Sequence, residues 1–181
     1  MTGNTVSLAG SVLVATPIIT DPPFARAVVA LLEHDAEGAV GLIVNLASDL
    51  PVERYLPEAV ADIAPPAVIF VGGPVGTDSA LGLLISDDAD SILPSPFSGI
   101  SIVDPTSVRP GGTGMRVFGG FAGWSPGQLE SELVEGAWWT ALAHRDDFFT
   151  AQPELLWEAT VRRVKGRAPL YATFPDDPST N

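Results

Sequence analysis

The apolar residues of this chain come in short runs, and that limits what it can fold into. The longest, Ala27–Leu32, spans six residues, and Ala39–Val44, broken only by Gly41, covers the same length. Runs of this length, bounded by turn residues, fit strands better than long helices. They fall far short of the ~20 apolar residues needed to cross a bilayer. The stretches Ala27–Glu33 and Gly41–Asn45 are joined through Asp35-Ala36-Glu37-Gly38, which predicts a β-hairpin. Asn45, at the end of its second arm, reads as a turn residue.

The same punctuation continues along the chain. Strands are expected at Gly10–Ala15, Ala67–Val71, Ala80–Ile85, Gly99–Val103 and Met115–Ala122. The Gly119-Gly120 pair inside the last of these suggests a bulge or a close backbone approach. Arg109–Gly114 reads as a loop, and Trp138-Trp139, if on a strand, put one indole inward and one outward. Helices are expected at Val52–Val60, Ser125–Glu135 and Pro153–Lys165. In the last, Leu156, Trp157, Val161 and Val164 share one face, and Glu158 precedes Arg162 by four, a favourable ion-pair order. Four of the nine basic residues (Arg162, Arg163, Lys165, Arg167) crowd its C-terminal end, where the helix dipole favours cations. The expected organisation is one domain over residues 1–181, with flexible termini at 1–9 and 175–181.

Charge narrows the function classes. The chain carries 22 acids against 9 bases, a net charge of −13. Nucleic-acid binding needs clustered Lys and Arg, so direct DNA contact is disfavoured. There is no cysteine, hence no disulfide, no thiolate nucleophile and no cysteine-ligated zinc. The first basic residue is Arg26, which argues against a signal peptide and leads to an expected cytoplasmic location. No metal or cofactor is expected. Glu33-His34-Asp35 alternates its side chains across a strand, so His34 reads as a structural or surface histidine rather than a metal ligand.

Gly123-Trp124-Ser125-Pro126-Gly127 has the spacing of a nucleophile elbow between a strand and a helix. The residue after the serine must donate its N–H to an oxyanion, and Pro126 has none. No catalytic residue is assigned, and an enzymatic role is disfavoured without being excluded. The structural alternative makes Ser125 an N-cap, with Pro126 at the first helical position and Gln128 closing a capping box. Trp124 and Leu129 would then form a hydrophobic staple. Projected at 100° per residue, Leu129, Leu133, Val134 and Ala137 make an apolar arc, and Glu130 falls inside it. A carboxylate there needs a partner, for which Arg116 or Arg26 is the expected choice, or else it serves as a ligand-binding or acid/base group.

Gly120-Phe121-Ala122-Gly123-Trp124-Ser125-Pro126-Gly127-Gln128-Leu129-Glu130-Ser131-Glu132-Leu133, followed by Trp138, resembles the "YAGWxxGQLExEL…W" signature of the bacterial YqgE/AlgH family. Gly10–Pro17, Phe24–Asn45, the Gly72-Gly73-Pro74 turn and Leu156-Trp157 resemble further blocks of that family in order, covering roughly residues 10–166. Phe121 replaces the family's tyrosine, so a role resting on that hydroxyl is in doubt here. The resemblance implies an α/β domain whose mixed, bent sheet forms a partial barrel packed by helices. It also implies a transcriptional-regulator label, linked to alginate control in some members, which the charge places at odds with DNA contact.

The leading expectation is a non-enzymatic binding or regulatory module acting through a protein partner. The candidate ligand- or partner-binding residues are Asn45, Gly72, Gly73, Pro74, Trp124, Gln128 and Glu130. One alternative is a small-molecule binder or weak enzyme with a pocket near Glu130. The other is a direct DNA-binding regulator.

Overall fold

The computed structural model describes residues 6–86, 92–107, 114–166 and 168–172. The loop expected over 109–114, Gly114 apart, and the tail at 175–181 lie outside the described residues. The strands are β1 (Ser11–Ala15), β2 (Val28–Asp35), β3 (Gly38–Ile43), β4 (Ala47–Pro51), β5 (Val68–Val71), β6 (Val75–Ile85), β7 (Ile100–Val103), β8 (Met115–Trp124) and β9 (Trp138–Leu142). The α-helices are α1 (Gln128–Val134), α2 (Arg145–Phe149) and α3 (Leu156–Val161).

All nine strands belong to one mixed sheet. Its main path runs β4-β5-β8-β3-β2-β1-β9, with β6 on β8 and β7 on β6. The path has two ends, so the bent sheet does not close into a barrel. The hairpin forms as expected: Asp35 pairs with Gly38 across the two-residue turn Ala36-Glu37, and Asp35 Oδ1 accepts the Glu37 N–H at 2.8 Å.

The apolar runs of β1 and β2 are continuous because both faces of the sheet are covered. Val12, Val14, Val28 and Ala30 face a core completed by α3 through Leu156, Trp157 and Val161. Leu13, Ala15, Val29 and Leu31 face a second core with Trp124, Leu129 and Trp138. A third cluster gathers Val52, Leu84, Met115 and Val117 at the other end of the sheet. The expected inner face of the last helix is present, with Val164 buried and Arg162 3.4 Å from Glu158.

The sheet bends at β8. Its first half pairs with β6 and, in parallel, with β5, whereas Ala122–Trp124 pair with β3. Gly72 lies in this change of partner, donating its N–H to the Gly119 carbonyl (2.9 Å) while its own carbonyl accepts the Ile43 N–H (2.8 Å). A Cβ on Gly72 would collide with the Gly120 carbonyl, and Gly120 itself takes φ +69°. The close backbone approach expected at Gly119-Gly120 is this crossing.

Several expectations need correction. Val52–Val60 is not one helix but two 3₁₀ turns, Val52–Arg54 and Pro57–Asp62, because Pro57 holds Leu56 out of the helical region. The helix expected over Ser125–Glu135 begins only at Gln128, capped by Gly127 at φ +75° rather than by Ser125. Half of the expected capping box survives, with Gln128 Oε1 accepting the Ser125 N–H at 3.0 Å. Val134 is 89% exposed, so the inward arc of this seven-residue helix reduces to Leu129 and the partly buried Leu133. The helix expected over Pro153–Lys165 is a 3₁₀ turn at Pro153–Leu155 followed by α3. β4 and the first half of β6 add strand where loop was expected.

Candidate functional site

The signature residues meet around one carboxylate, and it is not the one the helical projection singled out. Glu132 Oε2 accepts the indole N–H of Trp124 at 2.9 Å and that of Trp138 at 2.8 Å. Its Oε1 accepts from Gln128 Nε2 at 2.8 Å. The two indoles stand edge to face with centroids 6.0 Å apart, and Phe24 lies 6.0 Å from Trp138 and 6.5 Å from Trp124. Charge-assisted bonds of this kind are about twice as strong as neutral ones. The node ties the end of β8, helix α1 and the start of β9 into one unit. A tryptophan before the helix, another after it and a Gln–Glu pair four apart between them were the sequence signals for Glu132.

Glu130 does not pair with Arg116 or Arg26. Its Oε1 lies 3.0 Å from His34 Nε2, with the Glu130 side chain 37% exposed and that of His34 2%. The other ring nitrogen, His34 Nδ1, accepts the Leu8 N–H at 3.0 Å. A nitrogen that accepts carries no proton, so the His34 proton sits on Nε2 and is donated to Glu130. Ser7 Oγ also donates to the His34 carbonyl at 2.8 Å, so Ser7 and Leu8 are fastened to β2.

The other expected site residues are placed apart from this pair. Asn45 bridges the entry to β2: Oδ1 accepts the Val28 N–H at 2.8 Å and Nδ2 donates to the Arg26 carbonyl at 2.9 Å. It therefore holds Arg26 in its positive-φ turn (φ 53°). Gly72 and Gly73 are buried against β8, and Pro74 is exposed at the start of β6. Trp124 and Gln128 converge on Glu132, whereas Asn45 and the Gly-Gly-Pro turn do not join them.

Two further ionic arrangements shape the surface. Asp147, 2% exposed, takes both Arg163 Nη atoms at 2.8 and 2.6 Å and accepts the His144 N–H at 2.8 Å. Arg116, 1% exposed, donates from Nη2 to the carbonyls of Pro65 (2.5 Å) and Thr150 (2.9 Å). Burial lowers its pKa to about 10.

A groove of about 800 Å³ runs along the edge of β9. Its floor is the whole of Trp138–Leu142, and its walls include Leu8 and Leu133 on the α1 side and Val164 on the α3 side. Leu142, at its far end, is 79% exposed. Sequence reasoning missed this site, because an edge is a property of strand order and not of any local motif. Trp138 belongs both to the Glu132 node and to the groove floor.

Comparison with known proteins agrees with this architecture. A family profile described as AlgH-like (DUF179) matches residues 12–169. A UPF0301 protein of Streptomyces avermitilis is 43% identical over 97% of this chain and 96% of its own length. One of Streptomyces coelicolor is 44% identical over the same shares. A crystal structure of a Corynebacterium diphtheriae protein is similar with a TM-score of 0.81 at 31% identity, covering 96% of this chain and 95% of that one. The solution structure of AlgH from Pseudomonas aeruginosa is similar with a TM-score of 0.69 at 30% identity, covering 97% and 98%. With its profile match, its full-length relatives and its shared bent sheet, this chain belongs to the AlgH-like (UPF0301) family.

Proposed function

We propose that this protein is a non-enzymatic binding or regulatory module that acts through a protein partner at the β9 edge. The observation that carries the reading is the groove along the outer edge of β9, which has no strand beyond it among the described residues and is walled by apolar side chains up to the exposed Leu142. An open apolar trough beside free backbone groups suits an extended polypeptide better than a compact metabolite. The signature residues then act behind the groove: Trp124, Gln128 and Glu132 fix Trp138, which forms part of its floor. A cytoplasmic setting belongs to the same reading, as the lack of cysteine accords with a reducing compartment.

The small-molecule alternative rests on Glu130, whose half-exposed carboxylate already bonds His34. Direct DNA regulation remains disfavoured by the −13 charge.

A photo-reactive side chain at position 142, used in cells, tests the proposal. The expected result is a discrete protein adduct that Leu133→Asp abolishes and Glu53→Lys, on a distant turn, leaves intact. No adduct, or one indifferent to Leu133→Asp, overturns it.

A further inference from the structure

The backbone of β9 can be read atom by atom. Thr16 donates its N–H to the Ala137 carbonyl at 3.0 Å, and β1 pairs with β9 in the register Val14 with Trp139 and Val12 with Ala141. In an antiparallel pair, residues that exchange hydrogen bonds alternate with residues that do not. Ala137, Trp139 and Ala141 therefore spend their backbone groups on β1. Trp138, Thr140 and Leu142 turn theirs the other way. The far side of β1 agrees, since Ala15 donates to the carbonyl of Ala27, just before β2 (2.9 Å), which leaves Val12, Val14 and Thr16 for β9. No described strand lies beyond β9.

Three residues thus present N–H and C=O groups to the groove at the spacing of a strand. The groove holds both sheet layers open around them. Trp138 and Leu133 lie on one side of the sheet plane, and Trp139 and Val164 on the other. A strand added at the usual ~4.8 Å spacing would continue the sheet, with alternate side chains meeting these two walls.

Charge identifies the occupant. In a chain with 22 acids, no carboxylate lines this groove among the described residues, whereas His144, Arg163 and Lys165 do. Asp147, behind Arg163, compensates that guanidinium, and Lys165, exposed at the rim, is the only lysine in the protein. A second copy paired across a two-fold axis would bring like charges together on two chains each at −13. An acidic segment would be drawn to this face and repelled by the rest of the surface.

We propose that the β9 edge binds an extended acidic, apolar-alternating segment of a partner protein by strand addition through the backbone of Trp138, Thr140 and Leu142. This rests on the partner-binding reading above and specifies its chemistry. The test uses the full chain and a fluorescein-labelled peptide alternating Val or Thr with Glu, titrated by anisotropy near physiological salt. Its lysine-for-glutamate counterpart serves as the control. The Thr140 N–H points outward, so Thr140→Pro removes a donor from the open edge without breaking the β1 ladder.

The expected results are saturable binding of the acidic peptide, about tenfold weaker binding of the lysine peptide, and loss of binding in Thr140→Pro with unchanged melting. If Thr140→Pro melts early, amide exchange of the wild type decides: the peptide must protect the N–H groups of residues 138, 140 and 142. Equal binding of both peptides, binding indifferent to Thr140→Pro, or no protection overturns the inference. So does a self-associated dimer that the proline variant disperses. The cross-link at position 142 is read separately, so a partner captured there without strand addition would leave the binding reading standing and this one refuted.

Discussion

Arg116 holds its guanidinium carbon 4.2 Å over the ring of Phe70, in the interior of the sheet. Among the described residues its Nε and Nη1 have no hydrogen-bond partner, and no carboxylate is within ion-pair distance. A buried charge without a counter-charge opposes folding unless it is neutralised. What it supplies is position: one nitrogen links the Pro65 turn to the end of α2.

The first prediction follows from the sign of that burial. Burial lowers its native pKa to about 10, well below the ordinary arginine value, so between the native and the ordinary value the unfolded state binds more protons. Stability from this group therefore rises with pH above about 10 and is lowest below it. Arg116→Met, similar in size and uncharged, is expected to melt above the wild type at pH 7. That advantage should shrink by ~1.4 kcal/mol per pH unit above 10. A variant less stable at neutral pH, or an advantage that grows with pH, refutes the account. Paired pH-dependent denaturation curves decide.

Glu132 carries the second. Replacing it with leucine leaves two inward indole N–H groups without an acceptor, each worth about 1–3 kcal/mol when unsatisfied. Glu132→Leu should lose about 2–5 kcal/mol in urea denaturation and change the tryptophan fluorescence. Glu132→Gln keeps an acceptor oxygen and should lose less than half as much.

Much of the fold was legible because β1, β2 and β3 are short apolar runs between clear turns, and their pairing needs nothing distant to specify it. β9 was legible only conditionally, since Trp138-Trp139-Thr140-Ala141-Leu142 has no turn chemistry after it to mark it as a strand. The partner of Glu130 was missed for a similar reason. A helical projection shows which way a side chain leaves its own helix, but not that His34, 96 residues earlier, waits on β2. Glu132 was passed over because the two indoles that bond it flank the helix rather than ride on it.

The third prediction concerns that histidine. Because Nδ1 accepts from Leu8, nitrogen-15 spectra near neutral pH should show His34 as the Nε2–H tautomer. Glu130→Leu removes the acceptor of that proton at a half-exposed site and should cost about 1 kcal/mol. The fold should be retained and the Leu8 amide should remain protected. An Nδ1–H tautomer would contradict the geometry.

The fourth concerns the β8 crossing. Gly72→Ala places a methyl group against the Gly120 carbonyl, where backbone meets backbone and no side chain can yield. The expected loss exceeds about 3 kcal/mol, at the upper end for overpacking. Gly127→Ala offers a contrast, since nothing lies within 4 Å of a Cβ there and only the φ of +75° resists it. Its cost should be about 1 kcal/mol. Comparable melting of the two variants would refute the crossing.

The pairing of β1 with β9 also sets a timetable. β1 lies near the beginning of the chain and its second neighbour near the end, and Trp157 closes over it with an indole bond to the Ala15 carbonyl 142 residues away. During synthesis β1 can join β2 early, yet its other edge and its lower face stay open until most of the polypeptide has left the ribosome. For that interval Val12, Val14 and Thr16 offer unpaired backbone beside apolar side chains, the condition in which nascent chains stick to one another. β9 and α3 thus serve β1 as a late cover, and a truncation that removes them should be felt there.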